Sequence, residues 1–238
     1  MIDDAAVERV LVVTAHPDDV DFGAAGTIAT WTDAGVDVAY CVVTDGDAGG
    51  FDPSIPRHEI GPMRRREQTA AAKEVGVDEL HFLGYPDGRL EVTLDLRRDI
   101  ARVIRMVRPQ RVLCQSPERN FHRIFASHPD HLAAGEAALC AVYPDARNEF
   151  TFTDLMDEGL RPWTVPEVWI MGGPCPDRAV DVTDQIERKV RALLCHESQH
   201  PDPAGMEQRV RLWLSGTAQQ FELAPGRLAE AFQVVTTG

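Results

Sequence analysis

This 238-residue chain is short of positive charge: 24 Lys+Arg stand against 38 Asp+Glu, giving a formal net charge of −14. A duplex-binding protein needs a basic face to displace counterions, and an anionic membrane surface attracts basic segments. Neither partner fits this composition. Long apolar runs are absent too. The acidic start Met1-Ile2-Asp3-Asp4 is followed only by the short run Val10 to Val13, far from the ~20 residues of a membrane span. Cysteine is sparse: Cys41, Cys114, Cys140, Cys175 and Cys195 form no C-x-x-C pair. An odd, scattered set fits a reducing compartment and thiols used as small apolar residues, so a cytoplasmic location is expected. No G-x-S-x-G elbow and no G-x-x-x-x-G-K-[ST] phosphate loop occurs, which removes serine-hydrolase and P-loop chemistry.

What the chain does have is enough apolar residue, 44% against 26% charged, for a core that needs no disulfide staples. Val10–Thr14, Val38–Thr44, Leu80–Leu83, Val112–Gln115 and Val168–Met171 read as buried strands. Ala24–Ala34, Met63–Val75 and Leu94–Val107 read as the helices between them, with Thr183–His196 and Gly205–Gln220 as two more near the end. Alternation of this kind implies right-handed crossovers and a mostly parallel sheet covered on both faces. The expectation is one α/β domain over residues 1–238, a Rossmann-like three-layer sandwich. Ser116–Ser127 and Pro144–Pro166 read as long loops.

Ligands of an open parallel sheet lie beyond the carboxyl ends of its strands. The segments that follow the predicted strands are rich in metal-capable side chains there: His16-Pro17-Asp18-Asp19, Asp45-Gly46-Asp47, Pro86-Asp87-Gly88 and, after a loop, Ser127-His128-Pro129-Asp130-His131. Imidazole and carboxylate are zinc ligands, and a catalytic site takes three of them plus an open position for water. The first cluster could aim His16 and one aspartate at a metal while the other faces the water. The plainer alternative makes Asp18 or Asp19 a helix cap. In the second cluster Pro129 suits a first helical turn, with Asp130 or Ser127 as cap, but this leaves two histidines unexplained. The Gly46–Gly50 run reads as a tight turn that lets backbone approach a neighbour, and Arg64 to Arg66 as a solvated helix face.

His196-Glu197-Ser198-Gln199-His200 matches the zincin signature H-E-x-x-H, which would make the chain a metallopeptidase. Both histidines must then face one side of a continuing helix. Pro201 directly after His200 biases that residue out of helical geometry, and Pro203 blocks continuation. A third alternative is a sugar-binding module without turnover.

Taken together, Ala15-His16-Pro17-Asp18-Asp19 with Gly23 and Gly26, Thr44-Asp45-Gly46, Arg64 with Glu67, Pro86-Asp87-Gly88, His128-Pro129-Asp130-His131 and Val180-Asp181-Val182-Thr183 resemble the PIG-L/LmbE-like N-deacetylases. The resemblance runs from about Val10 to Gln199. It implies metal-dependent hydrolysis of the N-acetyl group of an N-acetylglucosamine-type sugar or glycoconjugate. It further implies His16, Asp19 and His131 as metal ligands and Asp18 as general base. His128 would assist the oxyanion or the leaving amine, Asp130 would orient an imidazole, and Arg64 and Asp87 would lie near the sugar. Zinc is the expected metal, although two histidines and one aspartate also hold iron(II) or another divalent transition metal. The stretch Asn120–Ser127, with Phe121, His122, Arg123, Ile124 and Phe125, departs from the short polar segment common in the family. Asp47 stands where glutamate is frequent.

Overall fold

The structure is a computed structural model and describes residues 2–238. The first half alternates strictly: β1 (Arg9–Thr14), α1 (Asp19–Asp33), β2 (Asp37–Thr44), α2 (Arg57–Glu74), β3 (Glu79–Tyr85), α3 (Leu94–Val107) and β4 (Arg111–Gln115). There follow α4 (Pro129–Cys140), a short α5 (Thr153–Asp157), β5 (Glu167–Met171), β6 (Arg178–Asp181), α6 (Ile186–Leu194), α7 (Pro203–Gln220) and β7 (Ala229–Thr236). The strands form one seven-stranded sheet in the order β3-β2-β1-β4-β5-β7-β6. Pairing is parallel from β3 through β5, and β7 runs antiparallel to both β5 and β6.

Successive strand residues face opposite sides of the sheet. Leu11 and Val13 of β1 pack under α3 and α4 with Ile100, Ile104 and Ala134, while Val10 and Val12 pack under α1 and α2 with Ile28 and Ala72. This produces the expected three layers. α3 shows how local sequence sets an element. Leu96, Ile100, Val103 and Ile104 recur at helical spacing and are buried, and Thr93 Oγ1 accepts the Leu96 N–H at 3.1 Å, a cap typically worth about 1 kcal/mol. Cys41 and Cys114 are free and buried in the core. No helix among the described residues is long and apolar enough to cross a membrane.

Several element boundaries differ from the sequence expectation. α1 begins at Asp19 rather than Ala24, and Gly23 and Gly26 lie inside it, where they serve close packing. A Cβ on Gly23 would meet Met171 Sδ at 2.3 Å, and one on Gly26 would meet Val182 Cβ at 2.7 Å. α2 begins at Arg57 and runs through Gly61 and Pro62. The loops expected at 116–127 and 144–166 each contain a short helical turn, Ile124–Ser127 and α5. β6 and β7 were not anticipated. β6 is short and only partly buried, and β7, which buries Ala229 and Phe232, is interrupted by Glu230 and Gln233, so neither shows the apolar run that marks the other strands.

The sheet order reverses at β1. From there the chain builds outward through β2 and β3, then returns to lay β4 on the other side. The crevice beyond the carboxyl ends of β1 and β4 is the switch point at which such sheets bind ligands. Gln115 closes it at the base by accepting the Ala15 N–H through Oε1 at 2.8 Å.

Candidate active site

The turn after β1 is the least relaxed part of the site. Asp18 adopts a left-handed conformation, φ 89° and ψ −27°, and makes no capping hydrogen bond with its side chain. For a residue with a Cβ this conformation costs of order 1–3 kcal/mol. Three hydrogen bonds with two neighbours hold the turn. The Asp18 N–H donates to Gln68 Oε1 at 2.8 Å, and Arg64 Nη2 donates to Pro17 O at 2.6 Å and to Asp18 Oδ2 at 3.1 Å. Burial lifts the Asp18 carboxyl to about 6, against the pull of the Arg64 charge. Asp18 thus holds the N-cap position of α1 without capping it through its side chain. It is a half-buried carboxylate aimed by strained backbone.

Arg64 is only 4% exposed, which corrects the reading of Arg64 as part of a solvated face. Its Nη1 donates to Gly46 O at 3.1 Å. Gly46 has φ 63°, and a Cβ there would meet Nη1 at 2.2 Å. The glycine-rich turn therefore does let backbone approach a neighbour, namely this guanidinium.

His16 and His131 face one another across Asp19. His16 Nδ1 lies 3.2 Å from His131 Nε2 and 3.3 Å from Asp19 Oδ2, and His131 Nε2 lies 3.0 Å from Asp19 Oδ1. The opposite ring nitrogens point at acceptors. His16 Nε2 is 3.0 Å from Asp87 Oδ1 and 3.3 Å from Asp130 Oδ2, and His131 Nδ1 is 3.3 Å from Ala126 O. With both rings neutral and protons on those outer nitrogens, two imidazole lone pairs and a carboxylate converge with no donor among them. A cation resolves that arrangement, and nitrogen with oxygen donors suits a divalent transition ion. Burial opposes charge on His16, yet Asp19, Asp130 and Asp87 push it up to about 12, so the carboxylate cage itself calls for positive charge. Two more groupings bring donor atoms within 4.8 Å of one another, His16 with His128 and His131, and His16 with Asp87 and Asp130.

Asp130 and Asp87 lie on the buried side of His16, at 1% and 8% exposure. Asp130 also accepts the N–H groups of Gly88 and Leu90 at 2.7 and 3.2 Å, and Asp87 accepts that of Ala48 at 3.1 Å. Asp87 and Arg64, expected near the sugar, thus stand behind His16 and Asp18 respectively. His128 opens α4, and its Nδ1 accepts the Asp130 N–H at 3.2 Å. The cap of this helix is the histidine rather than Asp130 or Ser127. With Nδ1 as acceptor, the outward Nε2 carries the proton. Burial and the charges of His16 and His131 hold the His128 imidazole below its ordinary pKa.

A cleft of about 970 Å³ reaches this cluster, with Asp18, Asp19 and His131 in its lining beside Phe22, Phe125 and Trp213. Sequence reasoning missed the scaffold beneath it. Gln68 Nε2 donates to Asp21 Oδ2 at 2.9 Å, and His196 Nε2 lies 2.8 Å from the same oxygen. The spacing of Gln68 four residues after Arg64, on one helix face, was the available signal.

The zincin alternative finds no support. α6 ends at Leu194, a single 3-10 turn spans Glu197–Gln199, and His196 is fully buried against Asp21 while His200 lines the cleft. The two histidines share no helix face.

The family profile described as PIG-L, GlcNAc-PI de-N-acetylase, matches residues 11–142. Diacetylchitobiose deacetylase of Thermococcus kodakarensis is 37% identical over 196 residues, covering 82% of this chain and 72% of that protein. A probable N-acetyl-alpha-D-glucosaminyl L-malate deacetylase 2 of Bacillus anthracis is 30% identical, covering 80% and 81%. The solved N,N'-diacetylchitobiose deacetylase of Pyrococcus horikoshii superposes with a TM-score of 0.89 at 29% identity, over 97% of this chain and 85% of that one. On the profile match and these identities, the chain belongs to the PIG-L family.

Proposed function

We propose that this protein hydrolyses the N-acetyl amide of an N-acetylglucosamine-type sugar or glycoconjugate, releasing acetate and a free amine, with a divalent metal held by His16, Asp19 and His131. The observation that carries the reading is the convergence of His16 Nδ1, His131 Nε2 and the Asp19 carboxylate within 3.3 Å of one another beside the strained Asp18. The relatives named above are deacetylases of such sugars, which supports the same reaction class. Of the two other groupings, His16 with His128 and His131 has the His128 Nδ1 engaged by the Asp130 N–H, and His16 with Asp87 and Asp130 sits on the buried side with both aspartates accepting backbone N–H groups. The latter pair of carboxylates serves instead to fix the His16 ring, as carboxylates behind metal-bound histidines do.

An acetamide is a poor electrophile. A bound zinc ion, or iron(II) in its place, supplies Lewis acidity and lowers the pKa of a water towards ~7. Asp18 takes the proton from the attacking water, and its elevated pKa suits a base working near neutrality. Arg64 fixes one Asp18 oxygen, leaving the other for that proton. His128 donates from Nε2 to the developing oxyanion or to the amine as it leaves, and such a positioned donor is worth roughly 3–4 kcal/mol. Asp130 and Asp87 keep His16 in the tautomer that presents Nδ1.

The test is acetate release from diacetylchitobiose and from the methyl glycoside of N-acetylglucosamine, by protein loaded with zinc or with iron(II). Acetate in step with free amine is the expected result. Intact substrate with every divalent metal tried contradicts the proposal.

A further inference from the structure

The outer wall of the cleft carries a cation that no carboxylate neutralises. Arg123 lies in the segment that departs from the family pattern, just before the helical turn Ile124–Ser127. Its guanidinium sits 4.5 Å from the Trp213 ring centroid and 5.2 Å from that of Phe125. Among the described residues it makes no ion pair and no side-chain hydrogen bond. Burial lowers its pKa with no charge partner to offset the cost. Most arginines of this acidic chain are paired, including Arg64, Arg65, Arg97 and Arg111. The aromatic faces stabilise the guanidinium from the side, but they accept none of its in-plane N–H donors, which stay free for an anion.

Position narrows what that something is. Phe125 is 71% exposed and marks the mouth of the cleft. Asp19 and His131, with side chains 10% and 16% exposed, mark its depth. Among the described residues no carboxylate other than Asp18 and Asp19 lines the cleft, whereas Arg209 lines it as Arg123 does. Arg209 is only loosely paired with Asp202, at 3.7 Å. An acetamide placed at the deep end therefore leaves the remainder of the substrate facing a positive, aromatic mouth.

We infer that the preferred substrate carries an anionic group, a carboxylate or a phosphate, on the part of the molecule away from its acetamide, and that Arg123 is the specificity-determining residue that receives it. Arg123 presents a planar fork of donors that matches either anion, and Trp213 and Phe125 hold that fork in one plane. The inference rests on the deacetylase reading.

Three glycosides of N-acetylglucosamine separate the cases: the neutral methyl glycoside, the carboxymethyl glycoside, and the 1-phosphate. Wild type should show kcat/KM for at least one anionic substrate about tenfold or more above the methyl glycoside, the worth of one charge-assisted hydrogen bond. The advantage should lie mainly in KM and shrink as salt is added. Arg123→Gln should bring the ratio close to one, and Arg123→Lys should keep part of it. Whichever anion is favoured identifies the source of the charge. A wild-type ratio near one overturns the proposal and leaves Arg123 as a prop for Trp213, as does an Arg123→Gln protein that keeps the wild-type ratio. Failure of all three glycosides to release acetate instead sinks the deacetylase reading. Calorimetric titration with glycolate and with inorganic phosphate then decides the subsite. Binding lost in Arg123→Gln supports it, and no binding to wild type overturns it.

Discussion

His16 Nδ1 and His131 Nε2 lie 3.2 Å apart, and each ring aims its other nitrogen at an acceptor, Asp87 and Asp130 for His16 and the Ala126 carbonyl for His131. In the neutral rings two lone pairs are thus turned towards each other by groups outside the pair. Such an arrangement is repulsive on its own and binding-competent around a cation. It ties the metal site to residues some distance along the chain from its ligands.

The first consequence concerns those outer carboxylates. Asp130→Asn or Asp87→Asn leaves the three proposed ligands in place but weakens the hold on the His16 ring. Metal affinity should fall by about 10–100-fold, measured by competition with a chromophoric chelator. Unchanged affinity in both variants would detach them from the metal.

Asp18 stands apart from metal binding. Asp18→Asn should retain metal and lose kcat by about 10²-fold or more, in line with the worth of a general base. Arg64→Met should lower kcat as well, because it removes the donor to Asp18 Oδ2 and Pro17 O. Loss of metal in Asp18→Asn, or activity close to wild type, contradicts the separation of roles.

His196 gives a pH signature in stability. Burial opposes its charge, but Asp21, 2.8 Å away, raises its pKa above 6.5 in the folded protein. The folded state therefore holds a proton that the unfolded chain releases near 6.5. The contribution is complete below that pH and is lost as pH rises through the folded value. The difference in urea midpoint between metal-loaded wild type and His196→Gln should thus narrow with rising pH. A difference that widens with rising pH would reverse the assignment.

Glu197 separates the two metal readings offered by the sequence. Glu197→Gln should leave acetate release unchanged, since Glu197 belongs to a 3-10 turn outside the metal cluster. A collapse in rate would return attention to the H-E-x-x-H segment.

Much of this was legible in the sequence. The five parallel strands follow from β-branched apolar runs, and the turns that follow β1, β3 and β4 bring His16, Asp87 and the His128–His131 cluster to one edge, as sheet topology requires. What escaped was information carried by packing. The packing role of Gly23 and Gly26 was hidden because the partners that need their missing side chains, Met171 and Val182, are over 140 residues away. β6 escaped because it is a four-residue edge strand, and β7, although internal to the sheet, because Glu230 and Gln233 interrupt its apolar residues. The burial of Arg64, read as part of a solvated helix face, was hidden because sequence does not reveal which polar residues are buried as supports for others. The pairing of His196 with Asp21 was hidden behind a motif that it resembles only in spelling.

The most direct test of the account is a titration of chelator-stripped wild type and His131→Ala with zinc, following acetate release from N-acetylglucosamine glycosides as metal is added. The account predicts that wild-type activity starts near zero, rises in proportion to zinc and levels off at about one equivalent per chain, while His131→Ala stays inactive and retains little metal. Full activity in the stripped protein, or a His131→Ala protein that binds one zinc and turns over like wild type, would contradict it.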